Sequence, residues 1–259
     1  MSRLRARCPH CRTLTAVAVG DGYECHSCGR IYVGGLVRVP RAWGTGGDAM
    51  VDAAFLPLPY PEVAVVEEET LREQNLAVAA ALPERPLVLG GCCCAHIGAV
   101  QGLVTRYDRL AVVWFDAHGD LNTHETSPSG NEWGMPLRML IDSQTVRADD
   151  VALVGARDLD PPEEQFIGES GLRVGREGVA DAVAEADAVY VALDVDVLEP
   201  DGDVVSYMPT PGGLTTAETI SALEELVAAK PVAGAGFTGL TAAPQNTTGL
   251  TRFADALRL

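Results

Sequence analysis

Three residues with metal-binding side chains stand at alternate positions where an apolar stretch of the sequence ends. Residues 112–122 read VVWFDAHGDLN, so that Asp116, His118 and Asp120 follow the apolar run. In an extended chain, side chains two positions apart point to the same side, and the three should project together from the end of a buried strand. Carboxylate and imidazole ligands suit Mn, Mg, Fe or Zn. A polar loop after a core strand would read the same way, and the triplet alone leaves both interpretations open.

The same pattern returns further along the chain. The apolar run AVYVAL at residues 188–193 is followed by Asp194 and Asp196, again two positions apart. Two strand ends that each carry paired carboxylates favour a site for two metal ions, whose usual chemistry is to bridge and ionise a water molecule. The repetition therefore favours a metal site over a polar loop.

Four cysteines near the N-terminus form two C-x-x-C motifs. Cys8 and Cys11 make the first, and Cys25 and Cys28 the second. Such a pair of motifs predicts a structural zinc ion held by four thiolates, which leaves no coordination position open for catalysis. A redox pair is the alternative. We predict a zinc ribbon over residues 1–34 and an α/β domain over residues 35–259.

Composition limits the classes of function. The net charge of −17 opposes binding to nucleic acid, and the 47% of hydrophobic residues can supply a large core. The sequence has neither a long apolar run nor the apolar segment of a signal peptide, so we expect a cytoplasmic protein that does not enter a membrane. The seven cysteines stand in two tight groups, which favours metal binding and reduced thiols over a disulfide framework.

The order of elements indicates the fold class. Apolar runs at residues 87–89, 112–115, 151–155, 188–193 and 231–237 alternate with helical patterns, among them residues 67–82, whose first turn would be acidic (Glu67, Glu68 and Glu69). This alternation predicts an α/β fold in which a parallel sheet lies between two helical layers, and ligands then bind at the carboxyl ends of the strands. The two acidic clusters described above, at residues 116–120 and 194–196, each follow the end of such a strand.

Several motifs, in order, resemble the arginase, or ureohydrolase, superfamily over residues 85–258. They are Gly90-Gly91, DAHGD at 116–120, NTHETSPSGNEWG at 122–134, RDLD at 157–160, LDVDVLEP at 193–200 and PGGLT at 211–215. The resemblance implies a three-layer α/β/α fold, a homo-oligomer, and two Mn ions sharing a hydroxide that attacks a guanidinium carbon. It assigns one ion to residue 93, Asp116, Asp120 and Asp194, and the other to Asp116, His118, Asp194 and Asp196. It assigns substrate binding to Asn122, Ser129, Asn131, Asp160 and Thr215.

The sequence departs from the family pattern at three positions. Cys93 stands where the family has a metal-binding His; Cys93 can ligate as a thiolate, His96 could substitute for it, or the first metal position could be incomplete. Trp133 replaces a His that exchanges protons with the leaving group, and His124 could take over that role. Gly239 stands where a Glu pairs with the guanidinium. Asp120, Trp133 and His124 are the candidate catalytic residues.

These departures shape the functional hypothesis. The retained residues favour a substrate with an amino-acid end, and the changes at residues 133 and 239 favour a guanidine that is less basic and has a better leaving group. A thiolate at residue 93 adds negative charge and favours a softer metal; two Mn ions are expected in this site, with Fe or Zn as the alternatives. We predict a binuclear metal-dependent hydrolase of a modified, arginine-like guanidino compound; the alternative is a non-catalytic metal-binding or interaction protein. On the same reasoning, a Glu introduced at residue 239 should raise activity towards arginine.

Overall fold

The computed structural model of the protein describes residues 4–200 and 202–259. Its first part is a four-stranded antiparallel sheet in the order β1-β2-β3-β4, formed by β1 (Arg5–Ala6), β2 (Ala16–Val19), β3 (Gly22–Cys25) and β4 (Ile31–Val33). The first C-x-x-C motif lies in the turn after β1, and the second begins at Cys25, the last residue of β3, and continues into the turn that follows.

The main sheet has eight strands, and every strand pair in it is parallel. The strands are β5 (Gly35–Val39), β6 (Glu62–Val65), β7 (Pro86–Gly90), β8 (Leu110–Phe115), β9 (Val151–Val154), β10 (Arg173–Val174), β11 (Ala188–Asp194) and β12 (Val232–Thr238). Their order across the sheet is β10-β9-β8-β11-β12-β7-β5-β6. Strands β8 and β11, which are neighbours in the interior of the sheet, are buried along their whole length, as near-continuous apolar runs predict.

Helices cover both faces of this sheet. They are α1 (Asp48–Val51), α2 (Leu71–Ala81), α3 (Ala95–Leu103), α4 (Pro136–Asp142), α5 (Pro161–Ser170), α6 (Val179–Val183), α7 (Thr216–Ala229) and α8 (Asn246–Ala256). Helices α2, α3 and α4 contribute to one apolar cluster and α6, α7 and α8 to another. The predicted three-layer α/β/α architecture is therefore confirmed.

Helix α2 begins later than the sequence suggested. Thr70 adopts an extended conformation, and its hydroxyl accepts a hydrogen bond from the backbone N–H of Glu73 at 3.2 Å. This N-cap satisfies a donor that the helix would otherwise leave unpaired, so the helix starts at Leu71. Residues 67–69 precede the helix, and the predicted acidic first turn is wrong for them.

The N-terminal sheet packs on the edge of the main sheet. Arg7 and Glu62 exchange two backbone hydrogen bonds, of 2.8 and 2.9 Å, which join the end of β1 to β6. Tyr23 and Cys25 are buried in the same apolar cluster as Val37. The two sheets thus share a core, while the domain boundary after residue 34 stays a prediction. No helix in the described part of the chain is long and apolar enough to cross a membrane.

Candidate metal centre and cavity

The carboxyl ends of β8 and β11 bring acidic side chains together on the floor of a cavity. We call Cys93, Asp116, His118, Asp120, Asp194 and Asp196 the carboxylate cluster. Ligand atoms of Cys93, Asp116 and Asp120 all lie within 4.8 Å of one another, and so do those of Asp116, His118 and Asp196. Asp194 belongs to neither group by this distance, but it lies beside the first, with its Oδ2 3.0 Å from Cys93 Sγ. Asp116 is common to both groups, which is the arrangement that two neighbouring cations require.

Turns, rather than an extended strand, aim these side chains. Strand β8 ends at Phe115, and Asp120 has a φ of 53°, in the left-handed region. Asp194 Oδ1 accepts a hydrogen bond from the backbone N–H of Asp196 at 3.0 Å, which caps the 3₁₀ turn Val195–Val197. The residues converge as predicted, but the explanation by strand alternation is wrong beyond each strand's last residue.

The cluster carries more negative charge than its surroundings offset. Burial, together with the carboxylate of Asp196, raises the pKa of Asp194 to about 7. Burial and Asp116 likewise raise the pKa of Asp196 to about 6. Burial disfavours the charged imidazole of His118, but hydrogen bonds with Asp116 and Asp196 outweigh it and raise its pKa to about 12. Carboxylates crowded in this way favour bound cations.

An unpaired atom points to the same conclusion. Asp120 is 4% exposed, and within the described residues its Oδ2 is buried without a hydrogen-bond partner. A buried carboxylate oxygen without a partner is costly, and a metal ion is the partner that a group of carboxylate, imidazole and thiolate ligands can hold. The residues present therefore fit divalent cations.

Cys93 and His96 are the two candidates to replace the metal-binding His of the family, and the structure places them differently. Cys93 lies in the carboxylate cluster. His96 is fully buried beneath it, where its Nδ1 is 2.9 Å from the hydroxyl of Tyr190 and its Nε2 is 3.2 Å from that of Thr238. Both ring nitrogens of His96 are thus engaged, which leaves neither for a metal ion.

The cavity above the cluster has a volume of about 260 Å³. One part of its wall is apolar or aromatic and the other is polar and acidic. The first comprises Met50, Pro128, Trp133, Tyr207 and Met208; the second comprises Asn122, Ser127, Ser129, Asp158, Asp160 and Glu163. No lysine or arginine is among the lining residues of the described chain.

Six of the residues predicted to bind substrate or to act in catalysis fall into two groups. Asn122, Ser129 and Asp160 line the cavity, and the Asn122 amide donates to Asp160 Oδ2 at 2.8 Å. The other three lie outside it: His124 is exposed, Asn131 Oδ1 accepts from the backbone N–H of Thr45 at 2.8 Å, and Thr215 caps α7. The side chain of Asn131 is thus engaged by a distant backbone segment and that of Thr215 by the first turn of its own helix, and the motif pattern reveals neither partner.

Some cavity residues were not anticipated from the sequence. Tyr207 reaches the cavity from a loop and donates from its hydroxyl to the carbonyl of Gly46 at 2.9 Å, a contact between distant segments without a local signal. Glu163 had a signal, the Pro-Pro-Glu-Glu start of α5. Its carboxylate accepts from the backbone N–H of Asp160 and of Leu121, both at 2.9 Å, and so ties α5 to the DAHGD loop.

A side chain at Gly239 would force the carboxylate of Asp194 to move. Its φ is 70°, and a Cβ placed there would overlap the carboxylate of Asp194. A glycine at positive φ avoids the cost that other residues would meet. The space beside residue 239 holds a metal-ligand candidate, so a Glu introduced there would displace the carboxylate of Asp194, which opposes the expected gain in activity towards arginine.

The four N-terminal cysteines form the second candidate metal site, the four-cysteine cluster. The sulfur atoms of Cys8, Cys11, Cys25 and Cys28 all lie within 4.8 Å of one another, and all four are free thiols. The hydroxyl of Tyr32 lies 3.2 Å from Cys8 Sγ. Four converging thiols fit a tetrahedral structural zinc ion.

Cys25→Ser is expected to release zinc from the four-cysteine cluster and leave metal binding at the carboxylate cluster intact. Three thiolates hold zinc more weakly than four, and the energy of such a site is largely folding energy. The unfolding temperature should also fall, because Cys25 is buried in the core that the two sheets share. Elemental mass spectrometry of the purified variant measures both sites. Loss of metal from both clusters together would contradict two independent sites.

Comparisons with known proteins agree with this geometry. The sequence model of the arginase family matches residues 45–256. The arginases of Bacillus caldovelox and Bacillus subtilis (strain 168) are 36% and 37% identical to this chain over 201 and 177 residues. Those matches cover 65% and 59% of this chain, and 67% and 60% of the two relatives, so that part of each relative's length has no counterpart in the match.

Solved structures show the same fold. The crystal structure of arginase from Bacillus subtilis has a TM-score of 0.76 at 26% identity and covers 86% of this chain and 97% of that one. Proclavaminate amidino hydrolase from Streptomyces clavuligerus has a TM-score of 0.66 at 19% identity, with coverage of 85% and 87%, and is similar in fold alone. With more than half of its length matched by the family's sequence model, the chain belongs to the arginase family.

Proposed function

We propose that the protein is a binuclear metal-dependent hydrolase that cleaves a C–N bond of a guanidino compound. The observation that carries this proposal is the pair of ligand groups that share Asp116 on the floor of one cavity. Relatives described as arginases, at 36% and 37% identity, support the same reaction class.

Two sets of side chains would hold the ions. Cys93, Asp116, Asp120 and Asp194 form the first set, and Asp116, His118, Asp194 and Asp196 the second. Bound divalent ions supply Lewis-acid activation of water near neutral pH. Manganese suits the carboxylate-rich second set, whereas the thiol of Cys93 brings a softer ligand to the first set and favours iron or zinc there.

The cavity selects a cationic substrate. Asp158, Asp160 and Glu163 line it in addition to the carboxylate cluster, and a cavity so acidic attracts a guanidinium or an amine. Asn122, Ser129 and Asp160 offer hydrogen bonds to the amino-acid end of such a molecule. Trp133 offers a flat indole on which a planar cation can stack.

The reacting end of the substrate must differ from that of arginine. Trp133 cannot exchange a proton, and His124 is exposed and lies outside the cavity. Asp120 lies in the carboxylate cluster, where its unpaired Oδ2 is assigned to a metal ion, so none of the three predicted catalytic residues is placed to give a proton to the leaving group. General acid catalysis contributes about a hundredfold or more, so its loss favours a substituted guanidine that is less basic and has a better leaving group.

Substrate hydrolysis tests the proposal directly. Manganese-loaded protein is incubated with arginine, Nω-hydroxyarginine and decarboxylated arginine, and the urea or substituted urea that forms is quantified. We expect the hydroxylated compound to be cleaved with a kcat/KM at least about tenfold above that of arginine. If none of the three compounds yields product while two metal ions are bound at the carboxylate cluster, the result would favour the non-catalytic alternative.

Cys93→His is expected to leave the fold intact and shift metal preference towards manganese. An imidazole is a harder ligand than a thiolate and removes one negative charge from the first ion's set. Competition between Mn²⁺ and Zn²⁺ for the carboxylate cluster measures the preference. Cys94→Ala is the matched control, because Cys94 is an adjacent buried thiol outside both ligand groups. Equal preference in wild type and Cys93→His would rule out Cys93 as a ligand.

A further inference from the structure

A row of three polar side chains lies buried beneath the carboxylate cluster and plays no part in the reaction proposed above. Tyr190, His96 and Thr238 come from β11, α3 and β12, and each is fully buried. The ring of His96 packs edge-on against that of Trp114, with centroids 5.0 Å apart. Such a row in an otherwise apolar layer is costly unless its hydrogen bonds are all made.

The hydroxyl of Thr238 is where this row meets the carboxylate cluster. Its Oγ1 lies 3.1 Å from Asp194 Oδ2, 3.2 Å from Cys93 Sγ and 3.2 Å from His96 Nε2. A threonine hydroxyl has one proton to donate and two lone pairs that accept. Its single proton can therefore serve only one of these three partners at a time.

Metal binding decides which partner receives that proton. When Cys93 binds a metal ion it does so as a thiolate, and neither the thiolate nor the carboxylate of Asp194 can then donate. The backbone N–H of Asp196 donates to the other oxygen of Asp194, Oδ1, and Thr238 is the donor beside both Asp194 Oδ2 and Cys93 Sγ, so its proton points towards them. Its oxygen then accepts from His96, which requires a proton on Nε2.

The direction of the remaining bond follows. His96 is neutral, because complete burial lowers its pKa to about 3. A neutral imidazole with a proton on Nε2 has a bare Nδ1, which accepts a hydrogen bond. Its partner there is the hydroxyl of Tyr190 at 2.9 Å, and this hydroxyl must donate.

We propose that Tyr190, His96 and Thr238 form a one-way hydrogen-bond chain that directs the Thr238 proton away from His96 and towards Cys93 and Asp194, where it offsets part of the negative charge that a thiolate ligand adds. This inference rests on the proposed role of Cys93 as a metal ligand. The three are positioning residues, which act on the ions through the ligands. Hydrogen bonds that orient metal ligands typically contribute tenfold to a hundredfold to metal affinity.

The surrounding backbone restricts the side chains that form this hydrogen-bond chain. A Cβ at Gly236 would lie 2.5 Å from the hydroxyl of Tyr190 and 2.6 Å from His96 Nδ1, so only a glycine on β12 lets the two side chains meet. Trp114, which packs on His96, donates from Nε1 to Asp116 Oδ2 at 3.1 Å. One buried layer thus supports both of the carboxylates assigned to bridge the ions.

The tautomer of His96 tests the direction of the chain. In protein loaded with diamagnetic Zn²⁺, ¹⁵N NMR distinguishes the two neutral forms of the five histidines, and His96→Gln identifies the signal of His96. We expect the Nε2–H form. The Nδ1–H form, or an imidazolium, would overturn the proposal.

Zinc affinity tests the purpose of the chain. With the four-cysteine cluster already saturated, Thr238→Val should weaken Zn²⁺ binding at the carboxylate cluster about tenfold to a hundredfold, and Thr238→Ser should restore it. Thr219→Val is the matched control, a fully buried threonine on α7 whose hydroxyl donates to the carbonyl of Thr215. In a Cys93→His background the effect of Thr238→Val should shrink.

Unchanged affinity in Thr238→Val, or Thr238→Ser no better than Thr238→Val, would overturn the proposal. An equal loss in the Cys93→His background would overturn the link to the thiolate. These readouts need no substrate, so they stay informative if hydrolysis of guanidino compounds fails.

Discussion

Gly239→Ala is expected to lower the affinity of the carboxylate cluster for metal while the four-cysteine cluster keeps its zinc. The new Cβ would overlap the carboxylate of Asp194, so that this side chain must move away from the ions it is assigned to bridge. Losing one buried charged partner typically costs about 2–5 kcal/mol, which is a fall in affinity of at least about thirtyfold. Titration of chelator-treated protein with Mn²⁺ measures it.

Gly20→Ala is the control for this variant. Gly20 has a φ of 61°, close to that of Gly239, but a Cβ there would have no neighbour within 4 Å. Both variants meet the cost of a left-handed alanine, about 1–2 kcal/mol of stability. Only Gly239→Ala should lose metal from the carboxylate cluster. If Gly239→Ala binds Mn²⁺ as well as Gly20→Ala and the wild type do, a Cβ at residue 239 does not displace the carboxylate of Asp194, and this prediction is wrong.

Asp116→Asn should have the largest effect, because this carboxylate belongs to both ligand groups. The amide keeps the size of the side chain but removes the charge that both ions share. We expect the affinity for both ions to fall by more than the tenfold to hundredfold typical of residues that only support a ligand. Hydrolysis of any guanidino substrate should fall with it. Mn²⁺ titration and the urea assay measure the two effects.

Asp142→Asn is its matched control. Asp142 ends α4 and pairs with Arg138 at 2.8 Å on the surface, and surface ion pairs contribute little to stability. This variant should bind metal as the wild type does. If Asp116→Asn also retained two ions at wild-type affinity, the assignment of Asp116 as the shared ligand would be wrong.

The sequence predicts the layered fold and the place of the site because both depend on local patterns. Apolar runs alternating with helical stretches imply a parallel sheet, and parallel strands bring their carboxyl ends to one edge. This is why Asp116 and Asp194, which follow distant runs, were expected side by side. Alternation does not extend past a strand's last residue, so the left-handed backbone at Asp120 was out of reach of the sequence pattern.

The parts of the site that were not predicted depend on contacts between distant segments. Met50, in the short helix α1, and Tyr207, in a loop, line the cavity from segments whose sequences carry no motif. The sequence indicates that Gly239 replaces a Glu that binds substrate in the family, whereas in the structure the space beside Gly239 holds the carboxylate of Asp194. Thr215 matched a family position, yet its hydroxyl is engaged in the capping box of α7. In each case a packing partner decides the role, and a motif match does not reveal that partner.

The metal content of the protein tests the central claim most directly. Wild-type protein is purified without chelator, and elemental mass spectrometry gives the metal ions per chain. We predict about one zinc for the four-cysteine cluster and about two further divalent ions, manganese, iron or zinc, for the carboxylate cluster. About one zinc and no further ion, unchanged after incubation with Mn²⁺, would contradict a binuclear hydrolase.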